Sequence, residues 1–135
     1  MLVVVHRSGI MVALGFTIAS GQASEVPHFD ITSILGQFVI AETAERVCTS
    51  SDQAETLQFA RNRRAITTAA ANALRDRNPG LSHEELVVQE TQFVKSLVAR
   101  TAALVAESGC SSPQVQRLLE LYRLQAKMDF SAAAQ

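Results

Sequence analysis

Two residues can carry sulfur chemistry, Cys48 in ERVCTSSDQ and Cys110 in ESGCSSPQV, and their settings nearly match: a thiol, then hydroxyl residues, then a new helical pattern. Metal binding, a reactive thiol and a disulfide are the chemistries open to such a pair. A metal site is poorly served, because thiolates far apart in sequence need imidazole or further thiolates nearby, and His28 and His83 each stand alone. A reactive thiol lacks its usual setting, since neither cysteine belongs to a C-x-x-C or to a strand–helix–strand pattern. The disulfide remains the leading reading, on condition that the chain works in an oxidising compartment and that its fold brings the two positions together.

Carboxylates and bases form few other constellations. In SHEE, His83 stands beside Glu84 and Glu85, but this is not the H-E-x-x-H spacing that places two imidazoles on one helical face. Glu90, Glu107 and Glu120 are scattered, and helix capping explains Glu84 and Glu85. RNRRA is the one local concentration of charge. It puts Arg61 and Arg64 on one helical face and Arg63 to the side, with Arg75 and Arg77 further along. The strip would dock an acidic protein, a phosphate or an anionic headgroup, or else be a solvated face whose arginine stems cover alanine-rich surface. No aromatic residues interleave with the bases as in grips on single-stranded nucleic acid. Neither a Gly-rich phosphate loop nor a metal triad is recognisable, and no cofactor is expected.

The compartment is written in the first residues. A basic start at His6 and Arg7, an apolar run from Ile10 to Ile18, and Gly21 and Ala23 at the −3 and −1 positions of a cleavage site read as a signal peptide over residues 1–23. The apolar run after Arg7 is about half of the ~20 residues needed to span a bilayer, so no membrane span is expected in the mature form. The whole chain carries a net charge of −1, and the segment 1–23 contains one base and no acid, so the mature protein is slightly more acidic still. That balance gives no case for nucleic acid as a partner. A periplasmic or secreted protein is expected.

The elements that must position these residues are helical. Tryptophan is absent, there is a single tyrosine, and alanine is abundant, which suits closely packed helices with an aliphatic and phenylalanine core. After a leader over residues 24–30, apolar spacings of three and four predict a first helix from Ile31 to Cys48, capped by Asp30 or Thr32, with Ile34, Leu35, Phe38, Ala41 and Val47 inward. Gly36 weakens it locally by about 1 kcal/mol relative to Ala. Asp52 and Glu55 open a second helix from about Gln53 to Arg77, with Leu57, Ala60, Ile66, Ala70 and Leu74 inward. NPG at 78–80 stops it, and Ser82 with Glu85 forms a capping box for a third helix reaching about Ser108. That helix should bury Leu86, Phe93, Val94, Leu97, Val98, Leu104 and Val105. Gly109 ends it, and Ser112 and Pro113 begin a fourth helix with Val115, Leu118, Leu119, Tyr122 and Met128 inward, before the tail 131–135.

The expected fold is an all-α antiparallel bundle of four helices over residues 31–130, joined by short turns. Helices two and three are each about 25 residues, or ~37 Å, so the chain doubles back and Cys110 returns to the end where Cys48 lies. In the chain-entropy view a Cys48–Cys110 bond would stabilise the fold by about 4 kcal/mol. The expected role is a non-catalytic binding protein with a protein partner, accessory, chaperone-like or inhibitor-like; self-association is also compatible. The partner-binding candidates are the Arg61, Arg64 and Arg75 strip and an apolar strip of Leu121, Leu124 and Met128 on helix four. The alternative is a helical-bundle enzyme with an arginine-lined site for a small anion. An open apolar strip would favour the first, a buried arginine pocket the second.

Overall fold

The computed structural model describes residues 30–130; the expected signal peptide, the leader as far as residue 29, which includes His28, and the tail lie outside the described residues. Four helices follow in order, α1 (Ile31–Cys48), α2 (Gln53–Arg77), α3 (His83–Ser108) and α4 (Pro113–Lys127), with no strand among the described residues. Each start is held by a side chain that accepts one of the backbone N–H groups left unpaired in a first turn. Asp30 accepts from Thr32, Asp52 from Glu55, Ser82 from Glu85 and Ser112 from Val115. At α3 the box is reciprocal, since Glu85 also accepts from the Ser82 backbone. Pro113 opens α4, where a missing N–H costs nothing.

α1 is the axis of the fold. It packs against all three other helices, whereas α3 barely meets α2 and α4. The main core cluster gathers Leu35, Phe38 and Val39 of α1, Phe59 and Ile66 of α2, and Tyr122 of α4. Within it the Phe59 and Tyr122 rings stack with centroids 3.9 Å apart, and Phe38 meets Phe59 at 5.2 Å. A second cluster of Ala44, Val105, Val115 and Leu119 closes the other end, packed beside Cys48 and Cys110. Those two cysteines are bonded, with S–S 2.07 Å and Cα atoms 5.7 Å apart, tying the last turn of α1 to the α3–α4 connection as the antiparallel reading requires.

Gly36 has a packing role beyond its low helix propensity. It faces α3, where an added Cβ would lie 3.4 Å from Phe93 Cζ and 3.5 Å from Leu97 Cδ1, so there is room for a methyl and no more between these helices.

Several inward assignments need correction. On α2 the buried stripe is Phe59, Asn62, Ile66 and Ala70, not one through Leu57 and Ala60, both exposed. The true stripe contains a polar residue, which disguised its register. Val47 is exposed although Ala44 and Glu45 just before it are buried and Cys48 just after it packs against the second cluster, so it stands on the open side of the last turn of α1. Val98 is exposed because α3 has one packed flank, against α1. Met128 is exposed because α4 has already ended at Lys127 and the backbone is extended at 128.

Candidate functional site: a basic cleft between α2 and the end of α4

Residues spaced four and three apart on a helix share a face, and Leu57, Arg61, Arg64 and Thr68 follow that spacing along the exposed side of α2. The neighbouring buried stripe seats α2 against α4. Where α4 ends, the two helices leave a cleft of about 890 Å³. Arg61 and Arg64 line it from α2, and Lys127, Met128 and Asp129 from the end of α4, with Ala65 and Ala126 beneath. Three bases and one acid give it a positive balance in a chain that is net negative. Lys127 stands in the last turn of α4, where the exposed carbonyl end of the helix favours a cation.

One wall of the cleft is fixed by Asn62, which is buried. Its side-chain amide nitrogen donates to the backbone carbonyls of Gln125 at 2.7 Å and Met128 at 2.6 Å, while its oxygen accepts from Gln58 Nε2 at 3.3 Å. Two carbonyls that the end of α4 leaves unpaired are thereby satisfied from α2. The polar group is a brace, and its hydrogens are committed.

The sequence-derived candidates are thus divided. Arg61, Arg64 and Met128 share the cleft. Arg75 lies 11 residues beyond Arg64, or ~16 Å along the helix, and there donates to Asn72 Oδ1 at 3.3 Å. Leu121 is half-buried against the main core cluster, whereas Leu124 is 53% exposed on α4 and Met128 42% exposed just past its end, so only these two of the three expected residues are open. Arg63 turns away from the strip toward α1, with Nε 3.6 Å from Glu42 Oε2 and a hydrogen bond to the Thr67 hydroxyl.

A second polar centre, at the α1–α2 turn, escaped the sequence reading. Glu45 is buried, and its carboxylate accepts from the Ser50 and Ser51 backbone N–H groups at 2.7 and 2.6 Å and from their hydroxyls at 2.5 and 2.7 Å. Burial acts to raise its pKa, but these hydrogen bonds to the charged form outweigh it and hold the carboxyl below its ordinary 4.5. The arrangement fastens a turn whose first residue, Thr49, has a left-handed φ of 45° that β-branched residues rarely adopt. The clue available in sequence was a glutamate five and six residues ahead of paired serines.

His83 is exposed at the start of α3, the end remote from Cys110. Among the described residues no group of three or more His, Cys, Asp and Glu is placed to hold a metal ion, and no helix is long and apolar enough to cross a membrane. No known protein family, curated protein or solved structure matches the chain.

Proposed function

We propose that the chain is an exported, non-catalytic binding protein of the periplasm or extracellular space, which holds a protein partner at the surface shared by α2 and the end of α4. The observation that carries this reading is the union of Arg61, Arg64 and exposed Met128 in one open cleft. The guanidinium forks of Arg61 and Arg64 offer several hydrogen-bond donors in a fixed plane, and the Asn62 amide is spent on backbone carbonyls, so these groups suit recognition. The exposed Leu57, Leu124 and Met128 supply apolar contact near or beside the bases, as surfaces that dock other proteins do. Both arginines are exposed, which weighs against an enzyme that would enclose a small anion. Export is supported by the Cys48–Cys110 bond, since disulfides persist in oxidising compartments.

The test has two parts. On osmotic shock the protein should leave cells with the periplasmic fraction and show no free thiol after denaturation; a cytosolic protein with two titratable thiols overturns the export reading. The mature chain, immobilised and exposed to periplasmic extract, should retain a partner that Arg61→Glu/Arg64→Glu does not. Equal retention by the variant, or no retained partner, overturns the binding reading.

A further inference from the structure

We infer that the cleft between α2 and the end of α4 takes an acidic peptide segment in which a large apolar residue lies between carboxylates. This rests on the binding reading above and assigns its chemistry. Three features of the cleft select such a ligand. Arg61 and Arg64 stand one helical turn apart and present guanidinium forks, which match carboxylates in a two-point geometry, and Lys127 adds a third cation from the other wall. Met128 lines the same cleft and is exposed, and its unbranched thioether adapts to apolar side chains of various shapes. Leu57, 53% exposed and one turn before Arg61, extends the apolar contact along the same face of α2.

The form of the cleft narrows the class. At about 890 Å³ and open to solvent, it is far roomier than an inorganic anion requires, and its cations are exposed, where a single phosphate would gain little over water. An extended segment would engage several of these weak contacts at once. A lipid surface fits less well, since the bases line a concavity between two helices and not a convex face that could lie flat on headgroups.

The probe is a fluorescein-labelled peptide of sequence Glu-Glu-Leu-Glu-Glu-Leu-Glu-Glu, titrated with the mature protein, beside the peptide with every Glu replaced by Gln. The acidic peptide should bind, the Gln peptide should bind at least tenfold more weakly, and raising salt from 50 to 300 mM should weaken the complex, as exposed ion pairs require, on the order of severalfold. Arg61→Glu/Arg64→Glu should weaken binding more than tenfold, whereas Arg100→Glu/Arg117→Glu, an equal charge change on exposed positions elsewhere, should leave it within about threefold. Circular dichroism of each variant establishes that the fold is kept. Equal loss in the two variants overturns the site, and equal binding of the Gln peptide overturns the chemistry. Capture of the protein by phosphatidylglycerol vesicles, or displacement of the peptide by millimolar inorganic phosphate, overturns the peptide assignment in favour of a lipid or phosphate ligand. If the protein retains an extract partner through Arg61 and Arg64 but binds no acidic peptide, this inference fails and the binding reading stands. If it binds the peptide but retains no partner, the binding reading fails by itself.

Discussion

Asn62 donates to the backbone carbonyl of Gln125 at 2.7 Å, a contact between the middle of α2 and the last turn of α4 across 63 residues of sequence. With its second bond, to Met128, it is the polar joint that sets where α4 stops and therefore where the cleft opens. Asn62→Ala should leave two carbonyls without their donor and cost about 1–3 kcal/mol of unfolding free energy, measured by urea denaturation. It should also weaken partner capture by loosening the end of α4. A variant as stable as the wild type would mean that water satisfies those carbonyls without help.

The disulfide closes a sequence separation of 62 residues. Cys48→Ser/Cys110→Ser should lower stability by about 4 kcal/mol in the chain-entropy view. Chemical denaturation of the variant in parallel with wild type checks this, and a loss below about 1 kcal/mol would show that helix packing holds this end without the bond.

Gly36 offers the opposite sign. A single added methyl would reach Phe93 and Leu97 at ordinary contact distances, so Gly36→Ala should raise stability by roughly 0.5–1 kcal/mol through lower backbone entropy in the unfolded chain. Gly36→Leu should lower it, since a branched side chain cannot fit between α1 and α3 without separating them. The two melting temperatures should move in opposite directions.

Glu45 predicts an acid limit. Its folded pKa lies below the ordinary 4.5, so the unfolded chain binds the proton more readily, and the stabilisation is present above about pH 4.5 and lost as pH falls through the folded value. The exposed caps Asp30 and Glu85, each held low chiefly by a backbone hydrogen bond, act in the same direction. Thermal unfolding followed from pH 7 to pH 2 should show the midpoint falling steeply below pH 4.5. Glu45→Gln should start lower at neutral pH and fall less, because its amide cannot accept four hydrogen bonds. An unchanged slope in Glu45→Gln would assign the acid sensitivity to other carboxyls.

Helix ends were legible because capping is local chemistry. Asp52, Ser82 with Glu85, and Gly109 followed by Ser112 and Pro113 act within a few residues of where they stand, and each marks the boundary found in the structure. The same locality made the disulfide predictable, since short turns and equal helix lengths bring Cys110 back to Cys48. Helix faces were harder. In α2, alanines occur on every side and Asn62 occupies a core position, so apolar spacing alone found Ile66 and Ala70 but set Leu57 and Ala60 in the stripe where Phe59 and Asn62 belong. Asn62 reads as a surface residue until its partner carbonyls, more than 60 residues away, are in place. Arg61 and Arg64 could be assigned to one face, but their meeting with Lys127 depends on where α4 ends in space, which no local pattern encodes.

The turn at Asn78–Leu81 is the far end of the α2–α3 hairpin, with Pro79 and Gly80 exposed. Cys48 precedes that turn in the chain and Cys110 follows it. A protease that nicks the backbone at Gly80 would therefore release nothing: the two pieces stay one covalent molecule, each still contributing a side of the basic cleft, and part company only under reducing conditions.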